Sequence, residues 1–168
     1  MQSSKLRIGI ISAEKSGDYL AASFIESLKS SGRDFELFGI GGEELDNFNI
    51  SRPQDFDREI LNVMGIIDPL KNLRQILRAR KQILDFLVSK NINIFIGVDS
   101  PDLNSFFHKK LKKINSTINF QIVSPSVWAW RSGRVKQLRK FVDTTFCLFK
   151  FEHEYLKKNN VNSFKFRG

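Results

Sequence analysis

The run Ile94-Phe-Ile-Gly-Val98 constrains this chain more than any other stretch. It is short, apolar and rich in β-branched residues. That pattern fits a strand buried on both faces of a parallel sheet better than a helix. The run stops at Asp99-Ser-Pro-Asp102. Pro101 has no N–H to give to a ladder, and it biases Ser100 towards extended backbone. Asp99 therefore stands where a buried strand breaks into a loop, at the carboxyl end, where open α/β sheets bind ligands. A partly desolvated carboxylate in that setting suits a general base. The competing role is capping the helix expected over 103–113, and Asp102 is the better candidate for that cap.

The same grammar recurs along the chain. Residues 5–11 read as a strand, 12–18 as a polar turn containing Gly17, and the following stretch as a helix with Leu20, Phe24, Ile25 and Leu28 near its apolar face. A helix N-terminus after such a turn offers free backbone N–H groups to an anion. The turn is nevertheless neither a P-loop nor a dinucleotide fingerprint, and its ordinary role is a plain βα connection. A strand over 35–40 runs into Gly41-Gly42, with a short helix over 43–47 and a loop over 48–60 behind it. The apolar patch Val63, Met64, Ile66 and Ile67 precedes Asp68-Pro69, a cap and first turn for a long helix whose apolar positions reach Leu87. A strand over 119–123 ends at Ser124-Pro-Ser-Val-Trp-Ala-Trp-Arg131. A basic helix over 134–141, a strand over 144–149, a helix from 151 and a strand over 162–166 complete the pattern. This alternation predicts an α/β fold with a doubly wound, mostly parallel sheet.

Composition narrows the class. At 168 residues, 41% hydrophobic and 27% charged, the chain reads as one globular domain able to bury its own core. No apolar run is long enough to span a membrane, and the N-terminus leads into a strand without a signal-peptide core. Cys147 is the single cysteine, which excludes an internal disulfide and fits a reducing compartment. With only His108 and His153 beside it, no metal-ligand cluster is expected. The formal charge of +9 favours a phosphorylated ligand, an anionic membrane surface or nucleic acid. The abundance of Lys, Asn, Ile and Phe also fits a biased genome, so the charge carries little weight.

Five motifs occur in order: Glu14 with Ser16-Gly17-Asp18, then Phe38-Gly-Ile-Gly-Gly42, Val63-Met-Gly-Ile66, Gly97-Val-Asp-Ser-Pro-Asp-Leu-Asn104 and Ser124-Pro-Ser-Val-Trp-Ala-Trp-Arg131. Together they resemble the lipid-A-disaccharide synthase family of bacterial glycosyltransferases, over nearly the whole chain. The resemblance implies the N-terminal, Rossmann-like half of a GT-B fold, with residues 1–168 as a single acceptor-side domain. It implies transfer of 2,3-diacylglucosamine from UDP to 2,3-diacylglucosamine 1-phosphate, giving a β-1,6-linked disaccharide phosphate by an inverting route without metal or cofactor. It makes Asp99 the base for the acceptor 6-hydroxyl, with Glu14 orienting the acceptor or sharing that network.

The substrate contacts implied are Ser16, Gly17, Asp18, Gly41, Gly42, Met64, Asn104, Ser124, Trp128, Trp130 and Arg131. Arg131 suits a phosphate, and the tryptophans suit either a sugar or acyl wall or plain packing. The Val63–Ile67 patch resembles a membrane-facing region. The expected partners are thus the two lipid substrates, an anionic membrane surface on the cytoplasmic side of the inner membrane, and a C-terminal donor domain, with no nucleic acid. Ser12, Lys15 and Lys150 depart from the family's usual residues. The chain stops near where the family continues into its donor half, so by itself it is expected to be inactive. Two other readings compete: a non-catalytic lipid-binding remnant, and a nucleotide-binding domain for another phosphosugar.

Overall fold

A computed structural model describes residues 5–57, 60, 73–126 and 132–166. The Val63–Ile67 patch with Met64, the Asp68 cap, Pro69, Trp128, Trp130 and Arg131 lie outside the described residues.

Six strands form one sheet: β1 (Leu6–Ser12), β2 (Phe35–Ile40), β3 (Ile94–Val98), β4 (Ile118–Ile122), β5 (Thr144–Cys147) and β6 (Ser163–Lys165). Every pairing is parallel, in the order β2-β1-β3-β4-β5-β6. The helices are α1 (Lys15–Ser30), α2 (Glu43–Asp46), α3 (Leu73–Ser89), α4 (Pro101–Ile114), α5 (Ser132–Phe141) and α6 (Lys150–Lys158). The fold is the doubly wound α/β class that the alternation predicts. No helix among the described residues is long and apolar enough to cross a membrane.

Alternation along the strands sorts side chains between two layers. Ile8 and Ile10 of β1 and Ile96 and Val98 of β3 pack with Ala21 and Ile25 of α1. Ile11 and Phe95 pack on the other side with Ile83 and Leu87 of α3 and Phe107 and Leu111 of α4. The buried positions of α3 are Ile76, Ala79, Ile83 and Leu87, the spacing of an amphipathic helix, so Arg74, Arg78 and Lys81 fall on the outer face while Arg80 is half-buried. Val135, Leu138, Cys147 and Leu156 make a smaller core where α5 and α6 meet β5.

Two features of this sheet position the site. Strand order reverses at β1, which has β2 on one side and β3 on the other, and such a switch point opens a crevice at the carboxyl edge. The register then aligns the strand ends, with Ser12 opposite Val98 and Val98 opposite Ile122. The chain segments starting at Ala13, Asp99 and Val123 therefore leave the sheet side by side.

The β3–α4 junction differs from expectation. Ser100 is left-handed (φ 36°, ψ 61°) rather than extended, and α4 begins at Pro101 with Ser100 in the cap position. Asp102 thus lies inside the first turn and does not cap the helix. Its carboxylate oxygens instead accept from Arg134 Nη2 at 2.9 and 2.8 Å.

Candidate active site

The Asp99 turn is held in a conformation that its residues do not favour. Asp99 and Ser100 are consecutive left-handed residues, with φ 51° and 36°, and Val123 beside them has φ 71°. Left-handed backbone at non-glycine residues costs on the order of 1–3 kcal/mol each, and it persists only where the surroundings over-determine it. Here they do. Asp99 N–H donates to Ile122 O at 2.9 Å, which ties the turn to the end of β4. Asp99 O accepts from Asn104 Nδ2 at 2.8 Å and from Gln121 Nε2 at 3.1 Å. Asn104 Nδ2 also donates to Val98 O, and Gln121 Nε2 also reaches Ile122 O and Val123 O.

Behind Gln121 stands His108. Gln121 directs its amide N–H groups at backbone carbonyls, so its Oε1 accepts from His108 Nε2 at 3.0 Å. Burial pushes the imidazole down to about 4, so the ring is neutral at neutral pH. The Asp99 backbone is thereby braced by a buried chain of neutral polar groups. Asn119 extends it, its Nδ2 donating to His108 O and to Phe141 O.

The first loop converges on the same place. Glu14 is the cap residue of α1, and its Oε1 accepts from Ser100 Oγ at 2.9 Å, across 86 positions of sequence. Gly17 permits the approach: a Cβ there would lie 3.0 Å from Ser12 Oγ and 3.3 Å from Asp99 Cβ. Ser16 is exposed on the first turn of α1. The N-termini of α1 and α4 thus both open at this edge, where their free N–H groups favour negative charge.

Asp18 has a definite structural task. It is buried, and its carboxylate accepts from Gly42 N–H at 2.7 Å and Glu44 N–H at 2.8 Å. It therefore caps α2 from a different helix and fixes the turn after β2. Gly42 leaves room for that carboxylate, since a Cβ there would sit 2.6 Å from Asp18 Oδ2, and one at Gly41 would lie 3.0 Å from Oδ1. Replacing Asp18 by Ala strands two N–H groups, so we expect Asp18→Ala to lose about 1–3 kcal/mol of stability in urea unfolding. Asp18→Asn, which keeps one acceptor, should lose less. An unchanged unfolding midpoint in Asp18→Ala would mean that the cap contributes nothing.

Of the residues singled out from sequence, the structure brings together Glu14, Gly17, Asp99 and Asn104, with Ser16 at the rim. Asp18, Gly41 and Gly42 form the adjoining cap. Ser124 is buried just beyond β4, its Oγ donating to Pro125 O at 3.2 Å. Ser100, His108 and Gln121 were not singled out. The available signal for Gln121 is a polar residue in mid-strand, paired with Asn119 two positions earlier on the same face.

A left-handed, over-determined acidic turn at the switch point of a doubly wound sheet is the arrangement of a ligand-binding α/β domain. A family model described as Lipid-A-disaccharide synthetase matches residues 8–166. The chain is 38% identical over 162 residues to a lipid-A-disaccharide synthase of Acinetobacter baylyi, covering 95% of this chain and 40% of that protein. Against the synthase of Saccharophagus degradans the identity is 37% over 159 residues, again covering 95% and 40%. Against that of Idiomarina loihiensis it is 35% over 161 residues, covering 92% and 40%. The chain belongs to the lipid-A-disaccharide synthetase family. It spans about 40% of the length of these curated relatives.

Proposed function

We propose that this chain is the acceptor-side, N-terminal part of an inverting lipid-A-disaccharide synthase. It holds 2,3-diacylglucosamine 1-phosphate while the acceptor 6-hydroxyl attacks the anomeric carbon of UDP-2,3-diacylglucosamine. In that step the new C–O bond forms as the bond from the anomeric carbon to UDP breaks. The hydroxyl proton passes to Asp99, UDP leaves, and the configuration inverts. No metal or cofactor takes part. The observation that carries this reading is the clamped Asp99 turn beside Glu14. Asp99 Oδ1 accepts from Ser100 N–H at 3.0 Å, and among the described residues its Oδ2 carries no hydrogen bond. A carboxylate with one oxygen engaged and one open, on a braced backbone, suits proton abstraction from a positioned hydroxyl.

Glu14 positions the turn through Ser100. Ser16, Gly17 and the α1 N-terminus line the acceptor side, with the cap of Asp18, Gly41 and Gly42 behind them, Asn104 at the start of α4 and Ser124 just past the end of β4. Arg131 meets phosphate, Trp128 and Trp130 wall the sugar or acyl groups, and Met64 belongs to a membrane-facing patch. The protein works peripherally on the cytoplasmic face of the inner membrane, and its donor domain lies in the remaining length of the relatives. Net charge of +9 supports attraction to anionic lipid.

The test is transfer by a protein that joins this chain to such a donor half, with both lipids supplied in anionic vesicles. UDP and disaccharide phosphate are expected in equal amounts, and raised salt is expected to weaken vesicle association. Absence of UDP release would overturn the reading. Salt-independent association would remove its electrostatic part.

A further inference from the structure

Three buried polar side chains meet behind the Asp99 turn. Asn104 and His108 stand four positions apart on α4, so both leave the same face of that helix towards the sheet. Gln121 of β4 completes the group, paired in register with Gly97 of β3. Gly97 makes the room: a Cβ there would lie 2.8 Å from Asn104 Cγ and 3.0 Å from Gln121 Oε1. One proton then sets the direction of the bonds. His108 Nδ1 is buried without a hydrogen-bond partner among the described residues, so a proton there would be stranded. On Nε2 it has Gln121 Oε1 to donate to, at 3.0 Å.

That bond decides which end of the amide faces the ring. Gln121 Nε2 is turned to Asp99 O, Ile122 O and Val123 O, at 3.1, 3.1 and 3.2 Å. With the opposite imidazole tautomer the amide would reverse and set Oε1 against those carbonyl oxygens. Asn104 ties Asp99 O to its own helix, whereas Gln121 ties it to β4 and to left-handed Val123. We propose that Gln121 and His108 are positioning residues for the Asp99 carboxylate, His108 acting through the amide whose direction its Nε2–H sets, an inference that rests on the function proposed above. They hold the Asp99 peptide, and with it the carboxylate, in the orientation from which the acceptor proton is taken. Misplacement of a reacting group by about 1 Å costs up to roughly 10²-fold in rate.

The two properties of His108 can be separated. Its ring packs edge-on against Phe95, with centroids 4.9 Å apart, and its Nε2–H donates to Gln121. His108→Phe keeps a ring and loses the donor, whereas His108→Gln loses the ring and keeps a donor. In a protein carrying both halves, His108→Phe and Gln121→Leu should each lower kcat roughly 10–10²-fold, with acceptor KM little changed. His108→Gln should keep kcat within about threefold of the parent. The reverse order, with His108→Phe active and His108→Gln impaired, would show a packing role and overturn the proposal. Added to Asp99→Asn, Gln121→Leu should lower kcat no further, because the group it positions no longer takes the proton. A full additional loss there also overturns the proposal. Asp99→Asn alone separates the two readings. Unchanged turnover removes the base and the positioning role together, whereas a large loss beside a fully active Gln121→Leu removes the positioning role only. Amide hydrogen exchange in this chain needs no turnover. The Asp99 N–H, bonded to Ile122 O, should exchange about tenfold faster in His108→Phe and Gln121→Leu, with the Ile10 N–H of β1 unchanged. Equal acceleration at both sites would reveal a general loss of stability, and no acceleration at either would reveal no brace; each result overturns the proposal.

Discussion

Asp99→Asn, made in a protein carrying both halves, is expected to lower turnover by roughly 10²–10⁴-fold, the usual loss when a general base is removed. The substitution is well matched to its setting. Asn tolerates left-handed backbone as Asp does, so the φ of 51° adds little cost. Its Oδ1 can still accept from Ser100 N–H, and the backbone bonds to Asn104, Gln121 and Ile122 do not involve the side chain. What disappears is an oxygen able to take the hydroxyl proton. Acceptor KM should therefore change little while kcat falls. Asp99→Ala would be a poorer experiment, because it also forces a residue ill-suited to left-handed backbone into a strained turn. Near-normal turnover in a folded Asp99→Asn protein would eliminate Asp99 as the base and leave Glu14, one hydrogen bond away through Ser100, as the alternative.

The second large effect concerns this chain alone. Supplied with both lipid substrates, it is expected to yield no detectable disaccharide, and activity should appear only when a C-terminal donor half is added. Group transfer to a sugar hydroxyl needs the departing diphosphate to be bound and its developing charge stabilised. Removal of a single such donor typically costs about 10²–10³ in rate, so a division in which the other half supplies all of them, as proposed above, predicts nothing measurable from residues 1–168 by themselves. The curated relatives extend well beyond the matched segment, which covers 40% of the Acinetobacter baylyi protein. Robust disaccharide formation by the 168-residue chain would overturn this division of labour between the halves.

The strands were readable because their signals are local. Ile94–Val98 and Phe35–Ile40 have the boundaries that their apolar runs suggest, and the all-parallel order follows from the alternation with helices. Ser100 and Asp102 were misread for a tertiary reason. The bias of a pre-proline residue towards extended backbone is a local preference, and it yields when Asn104, Gln121 and Ile122 pin the neighbouring peptide from other elements. Asp102 has a cap-like sequence position, yet its partner Arg134 lies 32 residues on, beyond any window of pattern reading. The cap made by Asp18 is equally distant from sequence logic, since its recipients are 24 and 26 residues away on another helix. Of the site, then, the carboxylates and Asn104 were picked out from the sequence, while Gln121 and His108, which brace the Asp99 backbone from β4 and the middle of α4, were not.

The bond from Ser100 to Glu14 closes a span of 86 residues, and Asp99 is clamped by groups arriving still later, at Gln121 and Ile122. A ribosome that has released only the first hundred residues has therefore delivered both carboxylates and none of the β4 clamps that hold their turn. At roughly 5–20 residues per second, those clamps follow within seconds. Until they dock, the Asp99 turn lacks what offsets its left-handed backbone, and the unclamped segment is free to relax to cheaper conformations. Synthesis in this direction therefore leaves the Asp99 turn unsettled until β4 docks, although every residue of the turn has already been made.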